Sequence, residues 1–256
     1  MAPVLSLPVI AALTAVATLA GFVDAIAGGG GVLTVPALLM AGLPPHLALG
    51  TNKGCSTFGT TAAVYTFARG GRLALREAVL GFAGGCAGAV VGARLQLALA
   101  PATLRPVVLV LLGAVAVALA LQRPQQSLHK AEVARGAGAA FAIALVFGAY
   151  DGFFGPGTGT FLIVAHVTLL GATLSAATAA AKPVNLGSNV ASLVTFGLRH
   201  TVVWAVALPM AIGNVLGNAL GARLALRRGD RLVRVMVIVV SLALVVKLAI
   251  DLVRAR

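Results

Sequence analysis

Only one charged side chain, Asp24, precedes Lys53, and the apolar character of that opening stretch continues to the end of the chain. Of the 256 residues 60% are hydrophobic and 10% charged, with a mean hydropathy of +1.04. Soluble domains carry about 25% charged residues, and several apolar runs here reach the ~20 residues that cross a hydrocarbon core. The chain therefore reads as an all-α integral membrane protein with many spans. Its first apolar segment lacks the basic n-region of a secretory signal and is expected to be retained. The net charge of +13 does not indicate a nucleic-acid partner, because the arginines gather at the ends of apolar runs. That is the positive-inside bias of membrane proteins. The two cysteines, Cys55 and Cys86, sit in apolar segments with no metal-ligand or disulfide pattern and read as packing residues.

The strongest internal signal is a duplication. A shift of 127 residues places Asp24, Gly28 and Gly30 on Asp151, Gly155 and Gly157. A shift of 129 places Lys53 on Lys182, Phe67 on Phe196, and Gly84, Gly88 and Gly92 on Gly213, Gly217 and Gly221. The chain divides into a first transmembrane repeat (1–121), a basic linker (122–135) and a second repeat (136–256). Helical segments are expected near 4–20, 32–42, 46–68, 75–98 and 104–121. Their counterparts are expected near 136–150, 160–171, 174–197, 202–225 and 232–253. Two short segments flank a glycine-rich break in each half, as a re-entrant hairpin or as two thin crossings. About eight transmembrane helices result, or ten helical segments with the short ones counted.

Either choice leaves an odd number of crossings per half, which makes the repeats inverted. The arginines agree. Arg69, Arg72 and Arg76 follow the 46–68 helix, against Arg199 alone in the second half, and the bias reverses at the next loop. This arrangement places the linker in the cytoplasm and both termini in the periplasm.

Lys53 and Lys182 fall inside the expected spans. A cation at bilayer depth costs ~2.5–3.5 kcal/mol on insertion scales and usually serves a cavity. Lys53, Ser56 and Thr60 share one helix face, as do Lys182, Asn185 and Asn189, with Thr51 and Asn52 beside the first lysine. Each lysine could instead pair with the aspartate of its own half, Lys53 with Asp24 and Lys182 with Asp151. The glycine breaks, Gly29, Gly30 and Gly31 in one half and Gly157 with Thr158 in the other, suit helix N-termini aimed at an anion. Paired broken helices in inverted halves point to a transport site. Close packing or a hinge is the competing account of these glycines. "GPGTGT" lacks the Lys-Ser/Thr pair and the preceding strand of a phosphate-binding loop. The Gly84 and Gly213 series are small-xxx-small packing ridges. His46, His129, His166 and His200 do not recur between the halves.

"GFVDAIAGGGGVLTVPALLMAGLPPHLALGTNK", "GAYDGFFGPGTGTFLIVA" and "AKPVNLGSNVASLVTF" together resemble the sulfite exporter TauE/SafE family, closest to its YfcA-like branch. The resemblance implies a bacterial inner-membrane permease for small anions such as sulfur oxyanions, sulfonates or related organic acids. Carried over by position, the motif residues are Asp24, Gly28 to Gly31, Asn52, Lys53, Asp151, Gly155, Gly157, Lys182 and Asn185. Ala181 stands where the first half has Asn52, so the half-sites differ chemically.

The expected function is secondary transport, in the outward direction, of a small anion driven by an ion gradient. An anion channel, or a structural or regulatory membrane protein, is the alternative. Lys53, Lys182, Asn52, Ser56, Asn185, Asn189, Gly29, Gly30, Gly31, Gly157 and Thr158 are the expected substrate ligands. Asp24 and Asp151 either carry coupling protons or hold the lysines. No cofactor, metal, nucleic acid or enzymatic activity is expected; the partners are the anion, the bilayer, a coupling proton and, as one option, a second copy of the chain.

Overall fold

The computed structural model describes the backbone of residues 5–121 and 136–254. Side chains are described through residue 229, apart from 105, 115, 116 and 118–121. The expected linker and both chain ends lie outside the described residues. Within them every regular element is a helix: α1 (Leu7–Ala27), α2 (Gly31–Met40), α3 (Pro45–Arg69), α4 (Leu75–Ala98), α5 (Pro101–Leu121), α6 (Ala137–Phe153), α7 (Thr158–Leu170), α8 (Leu174–Gly197) and α9 (Trp204–Arg254). Non-helical angles at Gly229 (φ 61°, ψ −152°) interrupt α9, so the described residues hold ten helical segments.

Among the described residues three helices are long and apolar enough to cross a membrane: Leu7–Ala27, Leu75–Ala98 and Trp204–Gly229. Helices α3 and α8 have the length, 25 and 24 residues, but lower hydropathy, because their lysines and hydrogen-bonding side chains are turned inward. Helices α2 and α7 have 10 and 13 residues. At 1.5 Å per residue they extend about 15 and 20 Å, short of a ~30 Å hydrocarbon core. Exposed apolar residues such as Leu7, Val91, Val146 and Ile212 cover the outside, while lysine, asparagine and threonine fill the middle. That inside-out distribution belongs to a multi-pass membrane protein.

Two boundaries differ from expectation. Helix α1 does not end near residue 20 but continues through Gly21 and Asp24 to Ala27, and α6 continues through Asp151 to Phe153. Both aspartates therefore ride on the last turn of a helix rather than in a loop. Gly21 is kept inside α1 for packing: a Cβ there would come within 2.8 Å of the Asn218 amide nitrogen on α9. The break itself is confined to Gly28–Gly30, where Gly28 (φ 75°) and Gly29 (φ 86°) take left-handed angles that favour glycine.

The halves interlock through their glycine ridges. Gly213, Gly217 and Gly221 of α9 lie on Thr14, Thr18 and Phe22 of α1. Gly84, Gly88 and Gly92 of α4 lie on Phe141, Leu145 and Ala149 of α6. These are the same contacts under the two sequence shifts, so the fourth helix of each half seats the first helix of the other. Cβ atoms at Gly92 and Gly217 would sit 2.7 and 2.8 Å from the amide nitrogens of Phe153 and Phe22, distances that real Cβ atoms do not reach. Helices approach this closely only through small residues.

Candidate anion site

The glycine breaks of the two halves meet backbone to backbone. A Cβ on Gly159 would lie 2.7 Å from the Cα of Gly28, and one on Gly31 would lie 3.3 Å from the Cα of Pro156. Around this junction Thr160 donates its hydroxyl to the Ala27 carbonyl at 3.0 Å, tying α7 to the end of α1. Helix α2 starts at Gly31 with Gly30 as its N-cap, and α7 starts at Thr158 after Gly157 (φ 84°). Neither N-cap residue caps its helix with a side chain, and the first N–H groups of a helix carry its positive dipole end.

Two ion pairs, one buried and one partly buried, flank the junction, and both cross between the halves. Lys53 Nζ on α3 lies 2.8 Å from Asp151 Oδ2 at the end of α6. Lys182 Nζ on α8 lies 3.2 Å from Asp24 Oδ2 on α1. Pairing within each half, the simpler expectation, does not occur. The reason is topological: α1 is held by α9 and α6 by α4, so each aspartate is carried to the lysine-bearing helix of the opposite half.

The environments of the two pairs are unequal. Lys53 also donates to Asn189 Oδ1 at 3.0 Å, and Asn189 donates to Thr60 Oγ1 at 3.1 Å. Asp151 accepts a further hydrogen bond from the Ser188 hydroxyl. Lys182, with no exposed surface, donates to both the carboxylate and the backbone carbonyl of Asp24. The Asp24 carboxylate also accepts the Gly30 N–H at 3.2 Å, and its carbonyl accepts the Gly28 N–H at 2.9 Å. The second pair thus fastens the break between α1 and α2 and turns only its carboxylate toward open space, whereas both members of the first pair border it.

That space is a narrow polar cavity of about 30 Å³, room for a water or two rather than for a multi-atom ion. Of the expected site residues, Asp24, Gly29, Gly30, Gly31, Asn52, Lys53, Ser56, Asp151, Thr158, Asn185 and Asn189 line it. Lys182 and Gly157 do not: Lys182 lies behind Asp24, and Gly157 turns the chain one residue before Thr158. The side-chain oxygen of Asn185 is buried with no hydrogen-bond partner, an acceptor open to a water or another hydrogen-bond donor. Asn52 is held from the other side, accepting from the Thr34 hydroxyl of α2 and, at 3.5 Å, from Ser56.

The cavity also takes in Thr60, Gly155, Gly159 and Asn214, none of them among the expected ligands. Asn214 donates to the Ala17 carbonyl at 2.9 Å and accepts from Asn218 at 2.9 Å. A signal for Asn214 exists in the sequence. It directly follows Gly213 of the ridge, where the first half has Gly85, so a pair of amides one turn apart, Asn214 and Asn218, interrupts an otherwise apolar and small face. Gly155 (φ 97°) lets the backbone pass Lys53: a Cβ there would stand 3.3 Å from its ammonium and 3.2 Å from Asp151 Oδ1.

Comparison with known proteins places the sequence in a family. The description "Sulfite exporter TauE/SafE" fits residues 13–248. The "Probable membrane transporter protein ORF9" of Sinorhizobium sp is 38% identical over 249 residues, covering 96% of this chain and 95% of the relative. The "Probable membrane transporter protein YfcA" of Escherichia coli K12 is 37% identical over 245 residues, 92% and 88% of the two chains. A "Probable membrane transporter protein" of Haemophilus influenzae is 35% identical over 247 residues, 96% and 97%. No solved structure matches the chain. These relatives are named as membrane transporters rather than enzymes, and the chain belongs to the sulfite exporter TauE/SafE family.

Proposed function

We propose that the protein is a secondary transporter that moves a small anion, a sulfur oxyanion, sulfonate or related organic acid, out of the bacterial cell across the inner membrane. The observation that carries this reading is Lys53. A buried ammonium stands at the edge of a polar cavity, facing the N-termini of two broken helices, where an anion finds both a counter-charge and backbone donors. The names of the family and of the relatives support the same class.

The site is charge-balanced, with two lysines and two aspartates. An arriving anion competes with Asp151 for Lys53, and that exchange of partners is the step at which an ion gradient acts on the anion. The arginine pattern supports inverted repeats, with the linker in the cytoplasm and the termini outside. Lys182 and Asp24 act in this scheme as the fastening of the α1–α2 break, while Lys53, Asn52, Ser56, Asn185 and Asn189 contact the anion.

The test is a flux panel in proteoliposomes: sulfite, thiosulfate, sulfoacetate, taurine and acetate, each with and without a pH gradient. Saturable flux of an anionic member that responds to the gradient is expected. Large ohmic currents without saturation would replace the transporter by a channel, and no flux of any member would remove the anion reading.

A further inference from the structure

A second, larger opening lies between α4, α6, α7 and α8. It is a groove of about 570 Å³ bordered by Arg76, Glu77, Gly81, Ala140, His166 and Ala176, among others. Its floor includes Val184, the residue before Asn185 of the polar cavity. The repeat gives the wall residues counterparts in the other half, and seven of those counterparts pack into or against one apolar cluster, forming a block. Under the two shifts Gly81 and Glu77 correspond to Met210 and Val206, Ala140 to Leu13, and His166 to Leu39. Likewise Leu170, Ala176 and Val184 correspond to Leu43, Leu47 and Cys55. Met210, Val206, Leu13, Leu43 and Cys55 are all buried in one apolar cluster, with Leu39 and Leu47 packed against it.

The difference is written in side-chain size as well as in conformation. Glycine, alanine, histidine and glutamate line the groove where methionine, leucine and valine fill the opposite end. The block also lies directly over the site: Met210 is one helical turn from Asn214, and Cys55 precedes Ser56. The groove carries Arg76 at its rim, with Glu77 beside it and the buried His166 ring bonded through Nδ1 to the Leu162 carbonyl at 2.8 Å. The charged rim and the histidine give water its partners in a groove whose other walls are leucine, valine, alanine and glycine.

We propose that this groove is the aqueous vestibule from which the anion reaches the cavity, and that the apolar block around Met210, Val206, Leu13 and Leu43 is the gate at the opposite end. The inference rests on the transport reading for its purpose but not for its test. Access in this conformation is from the α4/α6/α7/α8 end, and the cycle requires the block around Met210 to part. The fixed size difference makes the two ends unequal gates, one prone to stand open and the other to stay shut.

Thiol labelling with a charged, water-soluble maleimide in lipid nanodiscs, where both faces meet solvent, tests this without substrate. In a background of Cys55→Ser and Cys86→Ser, Ala140→Cys is compared with its counterpart Leu13→Cys, and Ala180→Cys samples the groove more deeply. The groove thiols are expected to react roughly tenfold faster or more than the one in the block, because labelling there awaits local opening. In protein carrying only Cys86→Ser, the native Cys55 should resist labelling, and Met210→Ala or the milder Val206→Ala should raise its rate severalfold. Equal rates at Ala140→Cys and Leu13→Cys, as a lipid-filled groove would give, overturn the vestibule. An unchanged Cys55 rate in folded Met210→Ala and Val206→Ala proteins overturns the gate. The expected labelling pattern in a protein that moves no anion would uphold this inference while ending the transport reading.

Discussion

Replacing Asp151 by Asn leaves Lys53 buried with its charge opposed only by dipoles, and the size of the penalty tests the crossed pairing. Lys53 and Asp151 are 2.8 Å apart; Coulomb's law at an effective dielectric of 20 gives about 6 kcal/mol for unit charges at that distance. Desolvation of both ions offsets most of it, but a single replacement strands the partner, and that costs about 3–5 kcal/mol. Asn189 Oδ1 at 3.0 Å keeps one hydrogen bond to the stranded ammonium, which places Asp151→Asn near the lower end, about 3 kcal/mol. Lys53→Met removes the stranded charge, so the double variant should recover much of the loss. A double-mutant cycle followed by circular dichroism through reversible SDS unfolding in mixed micelles reads the coupling directly. For Asp151 with Lys53 it should reach about 2–3 kcal/mol, and for Asp24 with Lys53 stay below about 1 kcal/mol. A larger coupling for Asp24 with Lys53 would refute the crossed arrangement and restore pairing within each half.

Three further outcomes follow from the packing. Gly155→Ala forces φ 97° on an alanine and sets its Cβ 3.3 Å from Lys53 Nζ. Strain of about 1–2 kcal/mol and a displaced lysine should lower flux while the protein still elutes as a folded species. Gly88→Ala on α4 drives a methyl to within 2.6 Å of the Ala149 amide nitrogen. Overpacking of about 1–3 kcal/mol should lower the unfolding temperature, and Gly217→Ala should match it on the other ridge. Asn214→Ala removes the bond to the Ala17 carbonyl and the acceptor for Asn218, a loss of about 1–2 kcal/mol measurable in the same SDS titration.

The helices, the duplication and the two intramembrane lysines were legible from residue type and spacing alone. Charge in an apolar run has few explanations, and Lys53 and Lys182 repeat each other. What spacing could not supply was partnership. Whether Lys53 meets Asp24 or Asp151 depends on which half holds α1 and α6. That is decided by Gly213, Gly217 and Gly221 and by Gly84, Gly88 and Gly92, whose small size announces close contact without naming the helix contacted. The end of the first helix, expected near residue 20, was hidden for the same reason, since α1 runs on through Gly21. A glycine in a helix reads as a terminus until the amide of Asn218 is seen to need its space. The exclusion of Lys182 from the cavity had a partial signal: Ala181 stands where Asn52 enriches the other half with hydrogen-bonding capacity. Asn214 was visible as a polar residue on an apolar ridge, yet only folding α9 against α3, with Gly59 opposite, brings it to the site.

The central claim is that Lys53, rather than Lys182, faces the transported anion. Initial rates of sulfite or sulfonate flux in proteoliposomes, normalised to folded protein, compare Lys53→Ala with Lys182→Ala. Lys53→Ala should fall to the level of empty vesicles. Lys182→Ala should lose stability at the α1–α2 break but keep measurable flux in whatever fraction folds. Wild-type flux from folded Lys53→Ala would contradict the account.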